Sequence, residues 1–469
     1  MRRTMLSLCL SMATAAAAGA DGPRVQAEPS RTPVQASTAA WRAPTAPVAR
    51  LRYGEMSAQR IHALQQANDS RVGKPLQIGI AREAAGESAE RALPLLRWTK
   101  LADGSSVARI EFVSPLAYGV RAGLRLDGLD PRAELRFAGS ARPGRIVATV
   151  TAAQAATLTG DDGLYWTPTT DGERQVVELW LPAGARAEDV RIEAPRLSHL
   201  MANAVDDFLI LKNVGGSGSC NVNAVCRVGE LGQGYGVARD AVARMVFQKD
   251  GGSYLCTGTL LNDIDNSTQI PWFHSAAHCI DSADVAATLN TYWKYESSTC
   301  STNTLGEYEQ LTGGADLLYS NAATDGALFR LRDAAPAGAT FAGWDANVLP
   351  SGISVLAIHH PAGDVKKVSS GVHVPARSDD VEHGVRWLQG TTEGGSSGSG
   401  LFTLDGGQYY LRGGLHGGYA SCANTGTTNS NNIDWYSRFD VDFPNIRQYL
   451  YVQPTTPQRR NGSQPLRPR

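Results

Sequence analysis

Gly394-Gly395-Ser396-Ser397-Gly398-Ser399-Gly400-Leu401-Phe402 sets a serine inside a run of glycines, with apolar residues following at once. Serine alone is a weak nucleophile. It needs a base within hydrogen-bond reach and donors waiting for the oxyanion. Glycines around Ser397 permit a sharp turn that aims the amides of Gly395 and Ser397 at such an oxyanion. A flexible Gly/Ser linker has a similar composition, but the apolar run that follows and the cysteines of the surrounding region argue against one.

Two more stretches stand upstream, in the order His, Asp, Ser. Phe273-His274-Ser275-Ala276-Ala277-His278-Cys279 places His278 beside a cysteine, with Cys256 earlier in Tyr254-Leu255-Cys256-Thr257-Gly258. A bridge between the two would fix the backbone at His278, and position is what a general base requires. In Thr324-Asp325-Gly326-Ala327-Leu328-Phe329 an aspartate enters a strand-like apolar run. A buried carboxylate there would hold an imidazole in one tautomer. Alone, each is an ordinary packing or turn residue. Together they predict a nucleophile, a base and an orienting acid: Ser397, His278 and Asp325. His-Cys pairs also bind metals, but the chain has no C-x-x-C and no His-Glu-x-x-His, so no metal site is predicted and no cofactor is called for.

The 469 residues, 42% of them hydrophobic, suffice for at least two cored domains. A formal net charge of -1 gives no reason to invoke nucleic acid or a membrane surface. The charge is segregated: residues 213–451 carry about 14 basic and 23 acidic groups, and the last 18 residues about 4 basic and none acidic. Met1 to Ala20 has Arg2 and Arg3, an apolar run and a small-residue end, the pattern of a secretory signal and too short to span a membrane. Without Cys9 the cysteines are six, all in the second half, which predicts three disulfides in an exported, oxidised protein.

Residues 21–50, rich in Pro, Ala, Ser and Thr without apolar periodicity, read as a poorly ordered flexible linker. Residues 51–212 show alternating runs such as Ser106 to Val113 and Val176 to Leu181, with a short helix over Ser57 to Asn68, and predict a small, mainly β domain. At Lys212 the composition changes to Asn213-Val214-Gly215-Gly216-Ser217-Gly218-Ser219-Cys220, an exposed-looking stretch suited to proteolysis. Residues 213–451 then read as an all-β barrel or sandwich pair, and residues 452–469 as a disordered basic tail.

Residues from about Gly215 to Leu450 resemble the lysyl endopeptidases, bacterial secreted members of the trypsin and chymotrypsin superfamily. Eight stretches carry the likeness: Ser217 to Val222, Cys256-Thr257-Gly258, Ala277-His278-Cys279, Ser298-Thr299-Cys300, Ala342-Gly343-Trp344-Asp345, Ala357-Ile358-His359-His360-Pro361, Gly395 to Ser399 and Leu415-His416-Gly417-Gly418. The resemblance implies an all-β, chymotrypsin-like double six-stranded barrel with its site between the barrels, preceded by a pro-domain. It also implies the disulfides Cys220–Cys422, Cys226–Cys300 and Cys256–Cys279, and the triad named above.

In that family an aspartate at the bottom of the specificity (S1) pocket binds the cation of the residue before the cut bond. Asp434-Trp435-Tyr436-Ser437-Arg438 fits its context. His416 and Gly417 resemble the strand that pairs with substrate backbone. The expectation is a secreted monomeric endopeptidase that cuts peptides after Lys in preference to Arg, made with its own pro-domain and self-processed at Lys212–Asn213. A serine protease of different pocket preference, or an inactive barrel that only binds, are the alternatives. Departures from the family are three: no aromatic counterpart covers the imidazole between Ser369 and Trp387, Gly400 replaces a proline, and Ser396 stands where animal trypsins keep the aspartate that pairs with a new N-terminus.

Overall fold

The computed structural model describes residues 22–34, 39–69, 75–90, 92–204 and 216–452. The signal reading, the Lys212–Asn213 junction and the basic tail beyond 452 lie outside them.

The alternating runs of the first half form a sandwich. One sheet has the order Val48–Arg52, Ser106–Val113, Arg174–Leu181, Glu134–Gly139, Ala148–Thr151. Facing it are Gly119–Asp127, Arg191–Leu200 and Leu76–Glu83. Leu51, Ile110, Phe112, Phe137, Val177 and Leu179 from the first sheet pack on Val120, Ala122, Leu124 and Leu197 from the second. The expected helix is Ala58–Asp69, one residue later at each end.

The expected double barrel follows. In the second barrel the order Gln408–Gly418, Gly400–Asp405, Ser354–His359, Lys367–His373, Glu382–Gln389, Asp434–Ser437 returns to Gln408–Gly418, so six strands close and no edge is left open. The first barrel runs Asn290–Trp293, Val242–Lys249, Gly252–Leu261, Trp272–Ala276, Gly326–Leu331. Its ends are joined by Glu309–Leu311 and Ala315–Asn321, two arms of one strand broken at Thr312-Gly313-Gly314. The amides freed at that break donate to Asp333, from Thr312 at 3.1 Å and Gly313 at 2.7 Å. Between the barrels Trp272, Trp344 and Phe402 meet Phe439 and Phe443 of helix Phe439–Leu450. All three disulfides implied by the resemblance are formed.

Sandwich and first barrel share one sheet, because Leu76–Glu83 pairs antiparallel with Gly252–Leu261. Leu76, Ile78, Leu200 and Ala202 close a joint core with Val246, Leu255, Tyr292 and Tyr295. Arg121 is fully enclosed there and donates to the carbonyls of Thr167 at 2.5 Å and Thr288 at 2.6 Å; burial lowers its pKa to about 10.

The linker reading of 21–50 is corrected. Arg24–Val25 adds a strand to Gly343–Asp345 of the last barrel, and Glu28–Pro29 pairs with Thr340–Phe341. Val25 is buried in the inter-barrel core. Farther on, the amides of Arg42 and Ala43 donate to the buried Glu178 carboxylate, and Ala43 and Ala46 pack on Val107. These contacts use main chain and single apolar side chains, which leave no periodic trace in a sequence. Asp345 is the anchor of the strap, held by Arg24 at 2.6 Å and by the buried Arg412 at 2.5 Å.

Removing Asp345 takes the carboxylate from the buried Arg412 guanidinium and leaves it only the Asn347 carbonyl. We expect Asp345→Ala to lower unfolding free energy by about 3 to 5 kcal/mol in urea titrations. Arg24→Ala, which removes a half-exposed partner, should cost about 1 kcal/mol or less.

Candidate active site

Strand Trp272–Ala276 runs directly into Ala277-His278-Cys279, and Cys279 is bonded to Cys256 of the neighbouring strand. Ala276 pairs with Gly326, so the register sets Asp325 opposite Ala277, whose amide donates to the Asp325 carbonyl at 2.8 Å. The Asp325 carboxylate accepts twice from His278, from its amide at 2.8 Å and from Nδ1 at 2.6 Å. An ionised carboxylate on Nδ1 puts that nitrogen's hydrogen there and leaves Nε2 as an acceptor. Nε2 is buried and has no partner among the described residues. Asp325 itself is left-handed at φ 61°, a conformation aspartate tolerates better than most residues.

Ser397 belongs to the other barrel but is tied to the first. Its carbonyl accepts from the Thr257 amide at 2.8 Å, while the Thr257 hydroxyl donates to the Gly395 carbonyl at 2.9 Å. Thr257 follows the bridged Cys256, so the serine loop and the histidine loop hang from one strand. A side chain at Gly398 would begin 2.0 Å from Ser275 Oγ, and its φ of +79° is left-handed. Only glycine lets the loop approach so closely. The amides of Gly395 and Ser397 donate to no group among the described residues.

Beneath the loop runs a neutral relay that the sequence did not disclose. The Ser369 hydroxyl donates to the Thr391 carbonyl at 2.9 Å, so it accepts from His359 Nε2 at 3.0 Å; His359 Nδ1 then accepts from the Ser396 hydroxyl at 2.8 Å. Burial drops the His359 pKa to about 3, which keeps the ring uncharged. Ser396 is thus anchored without the ion pair of animal trypsins.

Asp434 is fully buried. Its Oδ2 accepts from Trp387 Nε1 at 2.6 Å and Thr392 Oγ1 at 2.7 Å, and burial raises its pKa despite these bonds. Among the described residues no cation pairs with it. Gly418 passes so near that a Cβ there would lie 2.2 Å from Asp434 Oδ1. Trp387 therefore serves the carboxylate and not the imidazole. Beside the His278 ring, at 5.7 Å between centroids, lies His416. Its Nδ1 meets Glu382 at 2.5 Å, a hydrogen bond that raises the His416 pKa. Sequence reading missed Glu382, which stands in another strand. His278, Asp325 and His416 bring metal-ligand atoms within 4.8 Å of one another, as do Cys256, His278 and Cys279. The two sulfurs are spent in a disulfide and the Asp325 carboxylate is engaged by His278, so both groupings are explained without an ion.

Known proteins of one family resemble this chain. The lysyl endopeptidase C-terminal domain family matches residues 214–437, and the lysyl endopeptidase N-terminal domain family matches residues 52–201. A lysyl endopeptidase of Pseudomonas aeruginosa is 35% identical over 476 residues, covering 96% of this chain and 99% of the relative. A solved structure of a thermostable serine protease from an extremophilic microorganism aligns with 46% of this chain and 99% of its own at 17% identity and a TM-score of 0.33, too distant to carry an argument. Fold and relatives together define a serine endopeptidase. More narrowly, the chain belongs to the lysyl endopeptidase family.

Behind Asp325 sits Asp442, which accepts from Thr324 Oγ1 at 2.6 Å and Tyr319 OH at 2.8 Å; burial pushes its pKa up to about 6. A raised carboxyl pKa favours the protonated fold, so its stabilising effect is present below about pH 4 and is lost as pH rises through about 6. Asp442→Asn should flatten stability between pH 4 and pH 7, removing a fall of about 3 kcal/mol at most, read by thermal or urea unfolding across that range.

Proposed function

We propose that the chain is a secreted endopeptidase cutting after basic residues, Lys before Arg, with His278, Asp325 and Ser397 as its triad. His278 Nε2 takes the Ser397 proton as Oγ adds to the carbonyl carbon. The oxyanion is received by the amides of Gly395 and Ser397, and Asp325 stabilises the imidazolium. The imidazolium then protonates the departing amine, and water, activated the same way, releases the acyl group and restores Ser397.

The observation that carries the substrate reading is Asp434, a buried carboxylate on hydroxyl and indole donors with no cation beside it among the described residues. A substrate ammonium or guanidinium would relieve that burial, and His416 and Gly417 would pair with the backbone ahead of it. The N-terminal sandwich is its pro-domain, and Lys212–Asn213 the bond a lysine-cutting enzyme would sever in its own precursor. Substrates are proteins and peptides, and the mature enzyme acts as a monomer.

Ser397→Ala should abolish fluorophosphonate labelling and peptide hydrolysis. Asp325→Asn should lower kcat about 10⁴-fold with little change in KM. N-terminal sequencing of the Ser397→Ala precursor tests self-processing: an unchanged mature N-terminus would rule it out. Asp434→Ser should reduce kcat/KM on lysyl peptides by about 30-fold to 3,000-fold, the loss of a desolvated ion pair of about 2 to 5 kcal/mol. Peptides released from a mixed proteome, identified by mass spectrometry, should end in Lys and less often Arg; cuts spread over uncharged residues would sink the pocket assignment.

A further inference from the structure

If Ser397 and His278 act as proposed, His416 and Asp434 hold the part of a substrate before the cut bond, and the part after it leaves on the other side, past Leu255 and the Cys256–Cys279 bridge. The sheet on that side carries an arginine. Arg244 stands opposite Thr257 on one neighbouring strand and opposite Tyr292 on the other. Cross-strand neighbours share a face, so the Arg244 side chain lies on the face from which the Thr257 hydroxyl reaches the Gly395 carbonyl. Its guanidinium is held over the rings of Tyr292, at 5.1 Å, and Tyr295, at 4.8 Å. The Tyr295 ring is in turn 5.9 Å from that of His360, whose amide donates to the same Thr257 hydroxyl at 3.2 Å. Arg244 thus stands next to the segments that hold the Ser397 loop.

A buried guanidinium calls for a counter-charge. Arg244 is 2% exposed, its Nε has no hydrogen-bond partner, and no carboxylate pairs with it among the described residues. This is so although residues 213–451 carry about 23 acidic groups against about 14 basic ones. The negative charge that faces it belongs to the N-terminal sandwich. Asp171, fully buried at the junction, accepts from the Ala204 amide at 3.0 Å, and burial raises its pKa against the pull of Arg142, Arg244 and Arg145. On the other side His360 is kept neutral by burial, and Asp364 is paired with Lys367 at 3.3 Å. Leu76, Ile78, Leu200 and Ala202 of the sandwich cover Leu255, Tyr292 and Tyr295. When the sandwich departs, Asp171 departs with it, and the aromatic face opens around a cation.

We propose, resting on that protease reading, that Arg244 between Tyr292 and Tyr295 is a specificity residue of the leaving side, selecting substrates with aspartate or glutamate about two to four residues beyond the cut bond. One strand spacing, about 4.8 Å, separates Thr257 from Arg244 and a second separates Arg244 from Tyr292, over which the guanidinium lies, while an extended peptide advances about 3.3 Å per residue. A carboxylate at that range meets a guanidinium whose fork takes both of its oxygens and whose plane the two rings fix. An uncharged residue there leaves Arg244 as poorly matched as before.

Mature enzyme obtained from the full-length precursor is assayed on internally quenched peptides that share one lysine at the cut position and carry Glu, or its uncharged isostere Gln, at the second, third or fourth residue after it. At one of these positions Glu should exceed Gln in kcat/KM by about tenfold or more, chiefly through KM. Raising NaCl to about 1 M, where charges are screened within about 3 Å, should shrink that ratio. In Arg244→Gln it should fall below about threefold. Both rates come from one enzyme sample, so the ratio does not depend on how much of the variant folds. Equal rates for Glu and Gln at all three positions, with lysyl peptides still cut, overturn the subsite and leave the protease reading standing. So does a preference that survives in Arg244→Gln or, should that variant yield no enzyme, one that salt does not reduce, and so does active enzyme that still carries the sandwich on size exclusion. A chain that cuts no lysyl peptide and takes up no fluorophosphonate overturns both.

Discussion

The molecule depends on strand Gly252–Leu261 being bonded along both edges. One edge is taken by Val242–Lys249. The other is shared between Leu76–Glu83 near its start and Trp272–Ala276 near its end. Buried amides and carbonyls must be paired, so a strand in this position dictates where three other segments run. Midway along it, Cys256 grips the loop of His278 and Thr257 grips the loop of Ser397. Two loops from two barrels are brought together by two consecutive residues, and the rest of the barrels keeps that strand buried.

Three buried histidines add no charge to this framework. His274, His359 and His360 are all fully enclosed and kept uncharged by burial, His274 with a pKa near 4. They pack without adding positive charge to the interior, and His359 alone relays hydrogen bonds through both ring nitrogens. Asp325 is satisfied by two donors from His278, whereas Asp434 has donors but no counter-ion among the described residues. The proposed pocket is therefore an electrostatic vacancy of one sign, a better basis for selecting a cationic side chain than shape alone, because a neutral residue would leave the buried carboxylate as costly as before.

The barrels were legible because strand alternation and glycine-rich turns are local signals, and the ordering of His278, Asp325 and Ser397 was legible because each sits in a short distinctive motif. Disulfide pairing was not readable from spacing and came only through family resemblance. The relay from Ser396 through His359 to Ser369 was hidden because its members are scattered over three segments and each is unremarkable alone. Glu382 escaped for the same reason, lying 34 residues from His416. The strap at Arg24–Val25 was misread as linker. Its partners lie more than 300 residues away, and a Pro/Ala/Thr-rich composition says nothing about a main chain completed by a distant strand.

That strap also imposes an order of events. A ribosome delivers Arg24 hundreds of residues ahead of Asp345 and Arg412, its partners. At about 5 to 20 residues per second, the opening segment waits on the order of tens of seconds for the sheet it belongs to. Through that interval Val25 has no core to enter. The sandwich can assemble from its own strands meanwhile, but closure of the whole molecule is decided by its last hundred or so residues, and a chain truncated before them would present the strap as a loose end.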